Sequence, residues 1–188
     1  VKFTERILSL AKDKGIQTEL VVSEKERFSV TTDYVLPAQL GVDRWLALIG
    51  IKVLYREKTC LVVDLGTATT IDLITAQGQH VGGWIFPGLG VMHASLQFNT
   101  ANMKGHSDHQ RVFNFGTSTV ENVNNGCLAA TIGAIEMALL KAKQLEIEIN
   151  HIVLTGGNAH YVKEHLGFTV ELVEELVFKG LQCYLEVI

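Results

Sequence analysis

The sequence has 188 residues, of which 47% are hydrophobic and 19% are charged, and its formal net charge at pH 7 is −4. This composition predicts a well-packed globular protein without a disordered tail. The acidic balance argues against a nucleic-acid-binding surface, and no apolar run approaches the roughly 20 residues that span a membrane. Three scattered cysteines, Cys60, Cys127 and Cys183, predict reduced thiols in a cytoplasmic protein.

The chain opens with an amphipathic pattern. Phe3, Ile7 and Leu10 recur at intervals of four and three residues, which predicts a helix over about residues 1–13. Because the first residue is Val rather than Met and the sequence starts inside this pattern, we expect a further segment of the protein to precede it. A strand is predicted next, at Thr18–Val22, followed by a polar stretch.

The rest of the chain alternates predicted strands and helices. A loop that contains Tyr34 and Pro37 leads into a helix, and short turns then separate three strand-like runs. A long helix with an apolar stripe follows, and the order strand, helix, strand, helix ends the chain. The predicted bounds are Asp43–Tyr55 for the first of these helices, Cys60–Asp64, Thr69–Thr75 and His80–Phe86 for the three strands, Gly126–Leu145 for the long helix, and His151–Leu154, Ala159–Leu166, Thr169–Leu172 and a helix from Val173 for the remainder.

This order of elements predicts an α/β layered fold. Three antiparallel strands followed by alternating helices and strands match the ribonuclease-H-like unit that actin, the Hsp70 ATPase and sugar kinases use twice. We therefore expect a two-domain fold of this type with its first domain incomplete. Residues 1–57 would be the remainder of the N-terminal domain, including a substrate loop, and residues 58–188 the C-terminal domain.

The segment VDLGTATTID, Val63–Asp72, joins two of the predicted strands. A buried strand delivers Asp64 at its end, where a carboxylate can hold a cation that offsets phosphate charge. Gly66 lets a phosphate approach the backbone, and the hydroxyl and N–H groups of the turn can bind phosphate oxygens. A β-hairpin that binds nothing explains the same residues equally well, so this motif alone leaves both interpretations open.

The segment LGVDRW, Leu40–Trp45, places an aspartate at the start of a helix. Exposed N–H groups and the helix dipole keep Asp43 ionised there, and an ionised aspartate beside an alcohol can accept the hydroxyl proton during phosphoryl transfer. Arg44 can bind a substrate carboxylate through both prongs of its guanidinium. Taken in isolation, the segment is also explained by a helix cap and a solvated charge.

Two further segments contain glycine pairs. Gly82–Gly88, GGWIFPG, is typical of a strand whose backbone is approached closely by another chain or a ligand. Thr155–Asn158, TGGN, lies between a predicted strand and a helix, which is a common geometry of nucleotide sites. Each segment, taken singly, is also an ordinary hairpin strand or turn.

Together these segments resemble one family, the type III pantothenate kinases. The motifs occur in the order LGVDRW, VDLGTATTID, GGWIFPG, FGTSTVENVNNG (Phe115–Gly126) and TGGNAHYV (Thr155–Val162), and the closing LVFKGL (Leu176–Leu181) is similar to the family's C-terminal helix. Their shared order over nearly the whole chain makes the match specific. The resemblance implies transfer of the γ-phosphate of ATP to the terminal hydroxyl of pantothenate, the first committed step towards coenzyme A.

The resemblance also implies a role for each matching residue. Asp43 would be the general base, Asp64 would bind a monovalent cation (K⁺ or NH₄⁺), and ATP would be used with Mg²⁺. Family members are dimers whose site is completed across the interface by segments such as Gly82–Gly88, so a homodimer is expected, with no nucleic-acid or membrane partner. The expected pantothenate-binding residues are Tyr34, Gly41, Val42, Arg44 and Thr119, and the expected ATP-binding residues are Gly66, Thr67, Gly156 and Gly157.

One family feature has no match in this sequence. The family's first strand and turn, of the form Asp-x-Gly-Asn-Thr, cradle the ATP phosphates, and phosphoryl transfer depends on such positioning. We therefore expect this chain alone to be inactive. Two other functions stay open: a kinase for another small hydroxy acid, and a non-catalytic regulatory or scaffolding homologue that keeps the fold.

Overall fold

The computed structural model describes residues 2–99 and 113–185, which form a mixed sheet with helices on both faces. A short 3₁₀ turn at Pro37–Gln39 precedes the second helix. The elements in chain order are α1 (Lys2–Asp13), β1 (Glu26–Arg27), β2 (Val30–Thr32), α2 (Val42–Leu54), β3 (Cys60–Leu65), β4 (Ala68–Ile74), β5 (Gln79–Pro87), α3 (Leu89–Asn99), α4 (Thr119–Gln144), β6 (His151–Thr155), α5 (Ala159–Lys163), β7 (Glu171–Leu172) and α6 (Leu176–Leu185).

The sheet confirms the expected α/β fold class. Its strand order is β1-β2-β5-β4-β3-β6-β7. Strand β4 is antiparallel to its neighbours β3 and β5, whereas β6 is parallel to β3 and β7 is parallel to β6. Five strands in the order β5-β4-β3-β6-β7, with only β4 reversed, form the ribonuclease-H-like arrangement that the order of predicted elements indicated.

The N-terminal strands differ from the prediction. The strand expected at Thr18–Val22 is wrong, because these residues lie mostly exposed outside the sheet. Instead β1 and β2 form a hairpin whose turn residues, Phe28 and Ser29, have φ angles of 49° and 63°. Positive φ at both central residues is the geometry of a type I′ turn. Strand β2 then joins the sheet in parallel with β5, pairing Thr32 with His80.

The segment before residue 57 contacts the sheet in two places. Strand β2 extends it, and α2 packs on β2, β3 and β4. Helix α1 is formed as predicted, and its apolar residues Phe3, Ile7 and Leu10 are exposed. The division into units 1–57 and 58–188 stays a prediction.

Two apolar cores lie on opposite faces of the sheet. On one face, α2 and α6 pack on residues of β3, β4 and β6. On the other, α3, α4 and α5 pack on alternate residues of the same strands, because successive side chains of a strand point to opposite faces. The first core contains Trp45, Leu48, Ile49, Ile51, Cys60, Val62, Ile74, Val153, Leu176 and Tyr184; the second contains Leu61, Val63, Leu65, Ile71, Leu128, Ile132, Ile135, Leu154 and Val162.

Glycines allow α2 and α6 to cross at close range. A Cβ added to Gly50 or to Gly180 would lie within 3.0 Å of backbone atoms of the opposite helix. Near this crossing, the indole N–H of Trp45 donates to the hydroxyl of Tyr184 at 3.0 Å. The close crossing fixes the position of α2 over the sheet, and with it the position of the residues at the start of α2.

Helix α4 begins seven residues before its predicted start at Gly126. Ser118 caps it, accepting a hydrogen bond from the backbone N–H of Glu121, whose carboxylate in turn accepts from the backbone of Ser118. The sequence signature of this reciprocal capping box is Ser-x-x-Glu. Within the described part of the chain, α4 alone has the length and hydropathy of a membrane-spanning helix. Leu128, Ile132 and Ile135 bury its inner stripe in the second core.

Candidate active site

Two glycine turns meet at one edge of the sheet. Strands β3 and β6 are parallel, and Asp64 near the carboxyl end of β3 pairs with Thr155 at the end of β6. The turn Gly66–Thr67 follows β3, and the turn Gly156–Gly157 follows β6. Ligands of open α/β sheets bind at the carboxyl ends of the parallel strands, and this is the edge at which the structure brings together the five predicted ATP- and cation-binding residues.

Gly156 packs its backbone directly against β3. Its φ angle is +87°, and a Cβ added there would lie within 3.0 Å of Asp64 Oδ1 and of the backbone of Leu65. The next turn residue but one, Asn158, donates its backbone N–H to the carbonyl of Leu65 at 3.0 Å. A Cβ added to Gly157, in contrast, would meet nothing within 4 Å. The first glycine therefore sets the close approach of the two strands, and the second leaves open space in front of them.

The start of α2 lies over the same part of the sheet. Gly41 is the N-cap residue, Val42 is the first helical residue, and Asp43 lies in the first turn. The Asp43 carboxylate is exposed and accepts the backbone N–H of Arg44 at 2.9 Å. This end of α2 therefore presents a carboxylate to solvent.

Asp43 and Asp64 lie within electrostatic reach of each other. Burial raises the pKa of the Asp64 carboxyl, and the negative charges of Asp43 and Asp72 raise it further. In the described part of the chain, no hydrogen bond reaches the Asp64 carboxylate, and no group of three or more His, Cys, Asp or Glu side chains forms a metal cluster. Like charges without a bonded counterion favour binding of a cation, and Asp64 is the half-buried member of the pair.

Arg44 points into the protein, where it forms a buried ion pair. Its Nε donates to Asp72 Oδ2 at 2.8 Å and its Nη2 to Asp72 Oδ1 at 2.5 Å, and both side chains are 4% exposed. Burial alone would raise the pKa of Asp72, but the hydrogen bonds from Arg44 and His80 lower it below its ordinary value. The two-pronged face of the guanidinium, expected from the sequence to meet a substrate carboxylate, is directed at Asp72.

A second set of hydrogen bonds surrounds Asp72. His80 Nε2 lies 2.8 Å from Asp72 Oδ1, and His80 Nδ1 lies 3.1 Å from the hydroxyl of Thr32. The remaining edge of Arg44 donates from Nη1 to the hydroxyl of Tyr34 at 3.0 Å, and the Tyr34 ring stacks on His80 with centroids 5.9 Å apart. The predicted substrate residues Tyr34 and Arg44 thus lie in one hydrogen-bonded network with Asp72, His80 and Thr32.

Thr119 lies apart from these residues. It is exposed in the first turn of α4, and no hydrogen bond between described residues joins it to Asp43 or Asp64. An apolar groove of about 230 Å³ is likewise elsewhere, between the β4–β5 face and the end of α4, with Gly82, Gly83 and Trp84 in its lining. No role for Asp72 or His80 was predicted from the sequence. The signal available was Asp72 in a strand of otherwise β-branched and apolar residues, since a buried charge requires a partner.

Comparisons with known proteins decide the family. The family model described as type III pantothenate kinase matches residues 2–141. The chain belongs to the type III pantothenate kinase family. Membership makes it a kinase, a transferase that uses ATP, and the curated relatives below agree with that assignment.

Three curated relatives named type III pantothenate kinase show how much of the family's length is present. The protein of Colwellia psychrerythraea is 37% identical over 96% of this chain and 76% of its own length. That of Pseudoalteromonas translucida is 41% identical over 78% of this chain and 61% of its own length. For Pseudoalteromonas atlantica the values are 33%, 98% and 80%. Against the second relative the chain spans less than two thirds of the relative's length.

A solved structure supports the fold. The chain is similar to a Campylobacter jejuni protein described as a conserved Baf family transcriptional activator, with a TM-score of 0.62. The similarity covers 85% of this chain and 69% of that chain at 22% sequence identity. At this identity the likeness shows the fold alone.

Proposed function

We propose that the protein phosphorylates pantothenate with ATP to give 4′-phosphopantothenate, the first step of coenzyme A biosynthesis. The observation that carries this proposal is the placement of Asp43, at the start of α2, within electrostatic reach of Asp64 beside two glycine turns. A base for an alcohol, a cation-binding carboxylate and phosphate-accessible backbone are the parts that phosphoryl transfer requires.

Asp43 is proposed as the general base. It is exposed, it lies in the first turn of a helix, and its carboxylate bonds only to a backbone N–H in the described contacts. One of its oxygens is therefore available to accept the proton of the terminal hydroxyl of pantothenate as the oxygen attacks the γ-phosphorus. Tyr34, Gly41, Val42 and Arg44, which precede or adjoin it, are proposed to line the pantothenate site.

Asp64 is proposed to bind a monovalent cation, K⁺ or NH₄⁺. The donor chemistry fits, because a half-buried carboxylate whose pKa is raised by burial and by neighbouring carboxylates is relieved by a positive charge. The bound cation would offset phosphate charge. Gly66, Thr67, Gly156 and Gly157 are proposed to contact the ATP phosphates and the adenosine, and Mg²⁺ is proposed to accompany ATP rather than to occupy a site made by this chain.

The remaining proposals concern assembly and location. A cytoplasmic homodimer is proposed, in which Thr119 and the segment Gly82–Gly88 contribute to a pantothenate site across the interface. The exposed side chains of Trp84 and Ile85 on β5 support such an interface, since exposed large apolar residues mark interaction surfaces. No nucleic-acid or membrane partner is proposed.

The test is turnover of the complete protein with ATP and pantothenate. Asp43→Asn is expected to lower kcat about 10²- to 10⁴-fold, because the amide cannot accept the proton, while the circular dichroism spectrum stays that of the wild type. Asp13→Asn, the same change on the exposed end of α1, is the matched control and should leave turnover unchanged.

A panel of other small hydroxy acids distinguishes the two alternatives. Preference for one of them over pantothenate would replace the substrate in this proposal. A folded protein that turns over none of them, and on which Asp43→Asn has no effect, would favour the regulatory or scaffolding homologue.

A further inference from the structure

The ion pair of Arg44 and Asp72 is buried and closely packed in the fold. Both side chains are 4% exposed, and the pair is held by two hydrogen bonds of 2.8 and 2.5 Å. The strand beside them is shaped to fit, since a Cβ added to Gly83 would lie within 3.0 Å of both Asp72 Oδ1 and Arg44 Nη2. Buried ion pairs contribute little to stability compared with apolar residues of similar volume, so stability alone does not account for this arrangement.

The hydrogen bonds continue from Asp72 through His80 to the loop before α2. Because a carboxylate only accepts, His80 Nε2 donates to Asp72, and His80 Nδ1 lies within hydrogen-bond distance of the hydroxyl of Thr32, at 3.1 Å. The same Thr32 oxygen accepts the backbone N–H of Tyr34 at 3.3 Å. His80 itself is fully buried. Each member of the chain therefore has its orientation fixed by the next.

The network includes three of the residues proposed for the substrate site, Tyr34, Asp43 and Arg44. At one end the Nη1 edge of Arg44 holds the hydroxyl of Tyr34 at 3.0 Å. At the other, the backbone N–H of the same Arg44 holds the carboxylate of Asp43 at 2.9 Å. Arg44 thus contacts both the proposed general base and the Tyr34 hydroxyl, the first through its backbone and the second through its guanidinium.

We propose that Asp72 and His80 are positioning residues for pantothenate. They hold the Arg44 guanidinium in one orientation and thereby fix the Tyr34 hydroxyl and the Nη1 edge of Arg44, two of the proposed pantothenate-binding groups, before the substrate arrives. This inference rests on the proposed function and deepens it. It also assigns the two-pronged face of Arg44 to Asp72, which leaves Nη1 as the edge of the guanidinium that can face a polar group of the substrate.

The first variant is Asp72→Asn in the complete protein. The amide presents N–H groups or a single neutral oxygen to Arg44, so the guanidinium loses its fixed orientation. We expect kcat/KM for pantothenate to fall on the order of 10²-fold, because misplacement of about 1 Å has effects of that size. The KM for ATP should stay unchanged, since the proposed ATP residues lie on the other turns. If Asp72 had only a structural role, its substitution would not weaken the kinetics for pantothenate while leaving the KM for ATP unchanged.

The second test compares two variants of His80. Gln carries a side-chain amide that can donate to Asp72, whereas Leu has no donor, so His80→Gln should retain much of the pantothenate kcat/KM and His80→Leu should lose it. Tyr55→Phe is the matched control, because it deletes a 2.6 Å hydrogen bond to Glu171 at the other end of α2 without touching this network. Turnover by this control should equal that of the wild type.

The outcomes separate this inference from the proposed function. Normal kinetics of folded Asp72→Asn, or equal loss in His80→Gln and His80→Leu, would overturn the positioning role while leaving the kinase reaction in place. A wild-type protein that does not phosphorylate pantothenate would overturn both. If Asp72→Asn does not fold, the two His80 variants decide the question by themselves.

Discussion

The two ends of helix α2 carry polar residues of very different kinds. At the first turn, Asp43 is exposed and its charge raises the pKa of Asp64, and no cationic side chain of the described residues forms an ion pair with either carboxylate. At the last turn, Lys52 is buried and donates to the backbone carbonyls of Arg56 and Ala76. The first end of α2, called the open end below, lies near two carboxylates that repel each other. At the other end, called the closed end, the polar groups are satisfied by hydrogen bonds within the protein.

The closed end continues onto the sheet. The hydroxyl of Tyr55, which follows α2, donates to Glu171 at 2.6 Å, and His151 bonds to the other oxygen of the same carboxylate. The Tyr55 and His151 rings lie 4.8 Å apart. The hydrogen bond from Tyr55 lowers the pKa of Glu171, although burial acts to raise it. The fold therefore stabilises this carboxylate in its ionised form.

The difference between the two ends indicates that the first end of α2 is arranged for ligand binding at a cost in stability, whereas the second end stabilises the fold. Unmet like charges and open backbone turns destabilise a fold and are retained where a ligand completes them. Satisfied side chains at the opposite end stabilise the same helix. Removing a carboxylate charge at the first end should therefore stabilise the fold, whereas removing a hydrogen bond at the second should destabilise it, and the following predictions test how each end is held together.

The largest effect on stability is expected from Gly156→Ala, in the turn after β6 that packs beside Asp64 at the open end. The added Cβ would lie within 3.0 Å of Asp64 Oδ1 and of the Leu65 backbone, at a φ of +87°. Overpacking and a left-handed backbone together should lower the free energy of unfolding by about 3 kcal/mol. Chemical denaturation measures it.

Gly157→Ala is the control for this change. It differs by one position, meets nothing within 4 Å and lacks the positive φ, so its free energy of unfolding should stay near that of the wild type. Equal destabilisation by both substitutions would show that the open end is not held together by the close approach of Gly156 to β3.

The sheet edge could be predicted from the sequence because its residues follow directly from strand ends and glycines. VDLGTATTID gave a strand, a turn and a second strand in the correct places, and TGGN gave the turn after β6. Both motifs depend on neighbouring residues, which a linear pattern records. The division into 1–57 and 58–188 and the individual site roles stay predictions.

What could not be predicted depends on residues distant in sequence. The β1–β2 hairpin turns through Phe28 and Ser29, which lack the Asn-Gly signal of its turn type. The pairing of Arg44 with Asp72 could not be predicted for the same reason, because the two residues are 28 positions apart in the sequence and meet only after folding. Charge pairs of this kind appear in a sequence only as two unrelated polar residues.

A smaller loss of stability is expected from Tyr55→Phe at the closed end. Burial, with the hydrogen bond to Glu171, raises the pKa of the Tyr55 hydroxyl to about 12. Removing the hydroxyl deletes that bond and should lower the free energy of unfolding by about 1 to 2 kcal/mol, with turnover unchanged. Thermal unfolding and the kinase assay measure the two quantities. A loss of turnover in a folded variant would contradict the division of α2 into a chemical and a structural end.

The smallest effect on stability, and one of opposite sign, is expected from Asp64→Asn. The pKa of Asp64 is raised above its ordinary value of 3.8 in the folded protein. As pH rises from that value, the unfolded chain loses this proton first, so the ionised carboxylate increasingly destabilises the fold. The variant should match the wild type well below pH 3.8 and become more stable than it towards pH 7, by no more than about 1 kcal/mol at this half-exposed site.

Measurement of this difference requires a buffer whose only cation is choline, because a bound cation stabilises the folded wild type. Replacing choline with K⁺ at equal ionic strength should then raise the melting temperature of the wild type and leave that of Asp64→Asn unchanged, since only a ligand that binds the folded state stabilises it. Turnover should be lost in the variant at either salt. An Asn variant less stable than the wild type in choline at pH 7 would mean that the Asp64 carboxylate is already satisfied by the protein, and that the two ends of α2 differ less than their hydrogen bonds indicate.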